Sequence, residues 1–253
     1  RRPVAIALVD VQRGAGSITL PLEADVDIVI DRHYWCLDPA AARFSDVRPE
    51  LGATSTFLTG YLQAAGVEPA APLATALFYG IKTNTMGLAR NASPADASAY
   101  IYLRPRIEVE ALAQIERAQV PAEYFRSFDI ALRAARVYDG LVISYLGVMS
   151  YPDLAAEMAD VLLRLEESHW VICLGVHHDV LFMSVRARGL GGGAGQLVQA
   201  IVEKEGTAGG HRTMAGGQVP RKSRNAAQVV PEISRRALQA LNIPPDRAGE
   251  PLI

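Results

Sequence analysis

Cysteines and long apolar runs are both scarce in this chain of 253 residues. Its two cysteines are Cys36 and Cys173. Cys173 lies in the apolar run VICLGV, which predicts a buried free thiol, and so few cysteines indicate a reducing compartment. No apolar run reaches the roughly 18 residues that a membrane-spanning helix needs, and no signal peptide is recognisable. The sequence therefore predicts a cytoplasmic protein without a membrane span.

A large excess of charge of either sign is also absent. The 25 Lys and Arg side chains stand against 27 Asp and Glu, which gives a net charge of -2. This balance excludes a general electrostatic attraction to nucleic acid or to an anionic membrane, so a polyanion would have to be held by a local site. The length suits one large domain or two smaller domains, each with its own core.

Short apolar runs and helical patterns follow one another in the first half of the chain. Residues 4–10 and 26–31 are apolar runs that end in an acid, which is typical of parallel strands buried on both faces. Helices are predicted over 54–65, from Pro72 onward, and after an N-cap at Ser93. This alternation predicts a doubly wound α/β domain. Because the chain opens on a strand of the central type, we expect a further segment upstream, or a strand from another chain.

The second half predicts a second α/β unit with a mixed sheet, and a cleft between the two units. The strands are predicted over 141–147, 170–176 and 180–186, and the helices over 152–168, 196–204 and 232–241. The last two of these strands form a hairpin around His177, His178 and Asp179. Adjacent residues in a turn rarely converge on one ion, so this hairpin does not predict a metal site. We predict a first domain over 1–103, a helical connector over 104–139, a smaller second domain over 140–220 and a helical tail over 221–253.

Polar side chains collect where the strands of the first domain are predicted to end. Asp10 follows IALV; Asp31, Arg32 and His33 follow DIVI. Asn84 comes after a predicted turn at YGIK. Ligands of open α/β sheets bind at the carboxyl ends of strands. Acids, histidine and small polar residues there suit a phosphoryl-transfer site, in which two metal ions generate hydroxide and clamp the phosphate oxygens.

Four segments resemble motifs of the DHH phosphoesterase superfamily. DIVIDRH resembles the DHH motif, with Arg32 at its first histidine, and ALVDVQ resembles the preceding aspartate motif. GATST through YGIKTNT resembles the segment that normally ends in Thr-Asp-Thr, and GGHRTMAGG resembles the signature of the DHH-associated domain. The bacterial nanoRNase/pAp phosphatase proteins are the most similar group. The resemblance covers nearly the whole chain and implies an N-terminally incomplete, parallel-sheet DHH-like domain followed by a DHH-associated domain.

The resemblance also implies a metal site, which this chain has changed. In the superfamily two metal ions, usually manganese, are held by a His-x-x-x-Asp-x-Asp motif and by the aspartate and histidine positions above. Asp10 matches one ligand, whereas Arg32 and Asn84 stand at two others, and no histidine precedes His33. Arginine has no lone pair for a metal and stays protonated, and asparagine offers an oxygen without charge. These changes leave Asp10 as the one matching ligand and predict no resident cofactor.

Further roles are carried over only by resemblance. Asp31 matches a position that supports the metal ligands, and His33 matches one that contacts the substrate phosphate; these two are the candidate catalytic residues. Arg186, in MSVRAR, matches an arginine that helps to hold the substrate. In GGHRTMAGG, a glycine-rich loop would bind an anion through backbone N–H groups and one histidine. Its predicted binding residues are Gly209, Gly210, His211, Ala215 and Gly216.

Three functions stay open at this point. Arg32 can pair with phosphate oxygens, which favours a non-catalytic protein that binds a nucleotide or short oligonucleotide, or a subunit of an assembly with a protein partner or further copies of itself. The alternative is an active Mn²⁺- or Mg²⁺-dependent phosphoesterase of the nanoRNase/pAp phosphatase type, whose missing ligands come from an upstream segment. The third is an architectural protein in which Arg32 pairs with Asp10 or Asp31 in an empty cleft.

Overall fold

The structure, a computed structural model, describes residues 4–13, 20–21, 24–33, 42–189, 192–210, 212–221 and 225–253. Cys36 and His211 lie outside these ranges. The chain divides into two compact units, Arg1–Gln119 and Val120–Ile253. No helix in the described ranges is long and apolar enough to cross a bilayer.

The first unit begins with three short parallel strands. These are β1 (Ala7–Val9), β2 (Val26–Asp31) and β3 (Ala42–Val47), in the order β1-β2-β3. Because all three run in the same direction, the residues that follow them meet at one edge of the sheet. The sequence ARFSDV did not predict β3, because this partly exposed strand has no continuous apolar run.

The described helices of the first unit all follow β3. They are α1 (Thr54–Ala64), α2 (Ala71–Thr85), α3 (Pro94–Leu103) and α4 (Val109–Glu116). The predicted α/β class with a parallel sheet is confirmed, although the described helices follow the three described strands in sequence and do not alternate with them. The helices pack around a core that includes Phe78, Ile81 and Leu103, and Leu112 of α4 belongs to the same core.

Helix boundaries in the first unit follow local chemistry at some ends and packing at others. The N-cap predicted at Ser93 is confirmed as a capping box with Asp96. The turn predicted at YGIK is wrong, because α2 continues through Gly80 to Thr85. A Cβ on Gly80 would lie 2.2 Å from Ser55 Oγ. This glycine therefore allows α1 and α2 to approach each other closely rather than ending a helix.

The second unit contains a seven-stranded mixed sheet, in the order β10-β4-β5-β6-β7-β9-β8. Within this sheet, only the pair β5–β6 is parallel among the described strands. The sheet is larger than that of the first unit, whereas the sequence predicted a smaller second domain. The strands are β4 (Arg136–Tyr138), β5 (Leu141–Val148), β6 (Trp170–His177), β7 (Val180–Ala187), β8 (Thr207–Gly210), β9 (Met214–Pro220) and β10 (Glu250–Pro251).

Helices cover both faces of this sheet. Helices α5 (Ala122–Ala134) and α6 (Leu154–Leu162) pack on one face, and α7 (Ala194–Val202) and α8 (Ala226–Ala240) on the other. Successive residues of β6 alternate between the two cores, as the pleat of a strand requires. Cys173 belongs to the α5–α6 core, which confirms the buried free thiol.

Several predicted boundaries differ from the structure. The stretch 104–139 is divided between the units, because α4 packs in the first and α5 in the second. Its last residues form β4 and not a helix. The helix predicted over 152–168 ends at Leu162. The predicted tail is part of the second core, to which Ile233 and Ala237 of α8 contribute.

Candidate functional site

The strand ends of the first unit bring Asp10 and Arg32 together with Asn84 from the last turn of α2. Arg32 Nε lies 3.6 Å from Asp10 Oδ1, and Arg32 Nη2 donates a hydrogen bond of 3.1 Å to Asn84 Oδ1. The Arg32 guanidinium therefore contacts Asp10 and Asn84, the two other residues that stand at metal-ligand positions by resemblance.

Asp10 is held in an unusual backbone conformation. Its φ of 58° is left-handed, which costs a residue with a side chain more than it costs glycine. Its N–H donates to Ile30 O at 2.9 Å, and the Thr54 hydroxyl donates to its Oδ1 at 2.5 Å. The side chain is 47% exposed. Strained conformations of this kind persist where the surroundings determine them, often at functional sites. Thr54 was not among the predicted site residues.

Asp31 is fully buried, and both of its carboxylate oxygens accept hydrogen bonds. Gln12 Nε2 donates to Oδ2 at 2.7 Å; the Arg32 backbone N–H and the His33 Nδ1 position contact Oδ1 at 2.8 and 2.7 Å. Burial alone would raise the pKa of Asp31, but the hydrogen bonds from His33 and Gln12 hold it below its usual value. Asp31 is therefore ionised at neutral pH and fixes His33 in place.

The orientation of Asn84 follows from its amide nitrogen. Nδ2 donates to Gly80 O at 2.9 Å, one helical turn earlier, so Oδ1 is directed at Arg32. The backbone carbonyl of Asn84 accepts a hydrogen bond of 3.3 Å from Arg90 Nη2. Two guanidinium groups therefore contact this single residue. Sequence reasoning did not predict Arg90 as a site residue, because it follows α2 in an irregular segment.

These contacts use only part of the hydrogen-bonding capacity of the Arg32 guanidinium. Its side chain is 23% exposed, yet its Nε is shielded from solvent and has no hydrogen-bond partner among the described residues. The 3.6 Å separation from Asp10 is that of an ion pair, beyond hydrogen-bond length. A buried N–H without an acceptor costs about 1–3 kcal/mol, so an acceptor atom that reaches Nε would be stabilised there.

The potential metal ligands at this site do not fit a pair of metal ions. Asp10, Asp31 and His33 each place one potential ligand atom within 4.8 Å of the others. However, both oxygens of Asp31 and the Nδ1 of His33 are already engaged in hydrogen bonds. Arg32 adds a permanent positive charge next to Asp10, which repels a dication at that distance.

In the second unit, Arg186 is engaged by its own protein. Nε and Nη2 donate to the two carboxylate oxygens of Asp160 on α6 at 2.5 and 3.3 Å, and Nη1 donates to Ser184 Oγ at 2.7 Å. The Arg186 side chain is only 10% exposed. The structure therefore places this predicted substrate-binding arginine, itself mostly buried, in a bidentate ion pair with the more exposed Asp160.

The glycine-rich stretch forms a β-hairpin and not the predicted loop. Gly209 and Gly210 lie in β8 and pair with Gly216 and Ala215 of β9. The same two residues of β9 also pair with β7 on their other side. Small residues are needed because a Cβ on Gly210 would lie 2.3 Å from Ala215 Cα. Strand pairing thus takes up the β9 backbone that was predicted to bind an anion; His211, in the same motif, lies outside the described residues.

No family model matches the chain. An uncharacterized protein of Methanocaldococcus jannaschii is 35% identical over 217 residues, which are 85% of this chain and 44% of that protein. The chain therefore spans less than half the length of this relative. Among solved structures, an exopolyphosphatase-related protein from Bacteroides fragilis is similar with a TM-score of 0.69 and 15% identity, over 85% of this chain and 64% of that chain. The chain therefore shares the fold of this exopolyphosphatase-related protein, an α/β fold of the kind that its DHH-like motifs implied.

Proposed function

We propose that the first unit binds a phosphate group of a nucleotide or short oligonucleotide through Arg32 and does not hydrolyse it. The observation that carries this proposal is the Arg32 guanidinium, which contacts Asp10 and Asn84 but leaves its Nε without a hydrogen-bond acceptor. Phosphate oxygens are strong acceptors that match the fork of a guanidinium.

The contacts that Arg32 makes within the protein are weak, which supports a role for Arg32 in binding a ligand. Arg48, in the same unit, donates two hydrogen bonds of 2.8 and 2.7 Å to the two carboxylate oxygens of Asp46. Arg32 has one hydrogen bond to a neutral amide and one longer ion pair. An arginine that served only to neutralise Asp10 would gain most from the bidentate arrangement that Arg48 has.

We expect no hydrolysis because the side chains at this site are poor ligands for a metal ion. Metal-assisted hydrolysis needs anionic or neutral ligands that hold the ion and lower the pKa of its bound water. At this site Arg32 stands beside Asp10, and Asp31 is fully hydrogen-bonded to its neighbours. The residues present suit an anion better than a second cation.

A binding titration in EDTA tests the proposal, with 3′-phosphoadenosine 5′-phosphate as the probe. Wild type is expected to bind, and Arg32→Gln to bind about 10- to 150-fold more weakly, because hydrogen bonds to charged groups contribute about 1.5–3 kcal/mol. Arg48→Gln removes an arginine of the same unit and is expected to leave the affinity within about twofold. Equal affinities of wild type and Arg32→Gln would contradict the proposal, as would no binding by wild type at millimolar probe.

One observation favours a second candidate, an active metal-dependent phosphoesterase. Asp10, Asp31 and His33 form a cluster of potential ligand atoms within 4.8 Å of one another. This candidate requires wild type to bind Mn²⁺, so that its melting temperature rises with added metal and Asp10→Ala abolishes the rise. Our proposal expects such a rise only in the double variant Arg32→His with Asn84→Asp.

A further inference from the structure

We infer that Asp96 is the positioning residue of the phosphate site, because it fixes the first turn of α1 and thereby both side chains that Arg32 contacts. This inference rests on the proposed function for its biological meaning. Its structural content, the control of Arg32 by Asp96, can be measured without a ligand.

Asp96 connects the first turns of two helices. It is fully buried, and its Oδ2 accepts hydrogen bonds from the backbone N–H groups of Gly52 at 2.8 Å and Ser93 at 2.7 Å. Its Oδ1 accepts from the Thr56 hydroxyl. The N-cap of α1 is Ala53, which has no side chain that could cap the helix. A carboxylate from α3 therefore supplies the negative charge that favours the start of α1 as well as of α3.

The contacts of Asp96 lie on both sides of Thr54. Gly52 and Thr56 stand two residues before and two residues after it. Thr54 donates its hydroxyl to Asp10 Oδ1, the oxygen that also faces Arg32 Nε. Displacing this turn would move the Thr54 hydroxyl, and with it the orientation of the Asp10 carboxylate.

The same turn lies against the part of α2 that carries Asn84. A Cβ on Gly52 would lie 2.7 Å from Thr85 Cγ2, next to Asn84 in the chain. Further along, Ser55 packs on Gly80, whose carbonyl accepts the Asn84 amide hydrogen bond. The first turn of α1 therefore touches α2 at two points, and both are adjacent to or bonded with Asn84.

A purely structural role for Asp96 makes a different prediction. If Asp96 served only the capping box of α3, its removal would act like the loss of the cap residue Ser93. Ser93→Ala breaks that cap but leaves the bonds from Gly52 and Thr56 to Asp96. The two roles can therefore be separated by comparing substitutions at these two neighbouring positions.

The experiment follows the Arg32 Nε–H signal by two-dimensional NMR of the full chain, with the signal assigned by its loss in Arg32→Gln. Ser93→Ala is expected to lower the melting temperature and leave this signal unchanged. Asp96→Ala is expected to shift or broaden the signal and to weaken 3′-phosphoadenosine 5′-phosphate binding at least tenfold. Asp96→Asn, which keeps one acceptor oxygen for Gly52, is expected to restore the signal and most of the affinity.

Glycine substitutions keep the test decisive if Asp96→Ala does not fold. Gly52→Ala is expected to shift the Arg32 signal although Asp96 is present, because its Cβ would lie 2.7 Å from Thr85 Cγ2 and from Asn91 O, and 3.1 Å from Asp96 Oδ2. Gly60→Ala in α1 is the control, since nothing lies within 4 Å of a Cβ at that position. An unchanged Arg32 signal in Asp96→Ala or in Gly52→Ala would overturn the inference. Failure of wild type to bind the probe would instead overturn the proposed function, because the NMR comparison needs no ligand.

Discussion

Arg32 in the first unit and Arg186 in the second both come from segments that resemble phosphate-handling motifs, yet their surroundings differ. Arg186 is 10% exposed and donates to both oxygens of one carboxylate, that of Asp160, and to a serine. Arg32 is 23% exposed, has one neutral hydrogen bond, and keeps a shielded Nε without a partner among the described residues. Arg186 is thus engaged by its own fold, whereas Arg32, which we propose binds phosphate, keeps an N–H without an acceptor among the described residues.

The largest effect that we expect is on the stability of the second unit. Arg186→Met removes the N–H that donates to buried Ser184 Oγ and so leaves this oxygen without that donor, while Asp160, 59% exposed, remains in contact with water. We expect a loss of about 2–3 kcal/mol of unfolding free energy, because buried groups without partners cost about 1–3 kcal/mol each. Chemical denaturation measures it, with the exposed Arg235→Met as the control. No loss of stability would mean that Arg186 is free to bind a ligand.

The matched substitution in the first unit is expected to have a smaller effect on stability. Arg32→Met removes one neutral hydrogen bond and one ion pair, but it also removes a shielded N–H without an acceptor. These contributions offset each other, so the change in unfolding free energy should stay below about 1 kcal/mol. The same denaturation experiment measures it. A loss as large as that of Arg186→Met would make Arg32 a structural residue and would remove the contrast between the units.

Acid should weaken the first turns of α1 and α3. Burial alone would raise the pKa of Asp96, but its hydrogen bonds from Ser93, Thr56 and Gly52 lower it below the usual value. A carboxyl whose pKa is lower in the folded state contributes stability above its unfolded pKa of about 3.9 and loses it as the pH falls through the folded pKa. Peptide-resolved hydrogen exchange from pH 7 to pH 3 should show this loss, and Asp96→Asn should reduce its pH dependence. An equal pH dependence in both proteins would contradict this assignment.

The smallest expected effect concerns the reactivity of Cys173. Burial raises the pKa of this thiol, so little thiolate is present in the folded protein at neutral pH. In a Cys36→Ser background, a disulfide reagent should react with Cys173 only as fast as the second unit opens. Adding Arg186→Met should speed the reaction, whereas adding Arg32→Met should not. Rapid labelling of the folded parent would contradict the buried placement.

The sequence predicted the elements that depend on local patterns. The strand VDIVID, the capped start of α3 and the convergence of Asp10 and Arg32 follow from apolar runs, capping chemistry and strand ends, whereas the place of Asn84 was implied by the motif resemblance. The partners that hold those residues did not follow, because Thr54 and Asp96 act through contacts between residues 44 positions apart in the chain.

Glycine was the main source of error. Gly80 indicated a turn, but packing of α1 on α2 outweighs its weak helix propensity. Gly210 indicated a loop, but it pairs with Ala215 in two adjacent strands, where a Cβ on Gly210 would lie 2.3 Å from Ala215 Cα. In both places glycine allows two elements to lie close together. A single sequence does not distinguish this use of glycine from a turn or a loop.

The central claim, that Arg32 holds phosphate at a site that does not hydrolyse it, is tested most directly by measuring inorganic phosphate release. Wild type and Asp10→Ala would each be incubated with 3′-phosphoadenosine 5′-phosphate and Mn²⁺, at probe concentrations that saturate the wild type in EDTA. We predict no release above background from either protein. Manganese-dependent release by wild type that Asp10→Ala abolishes would contradict the account.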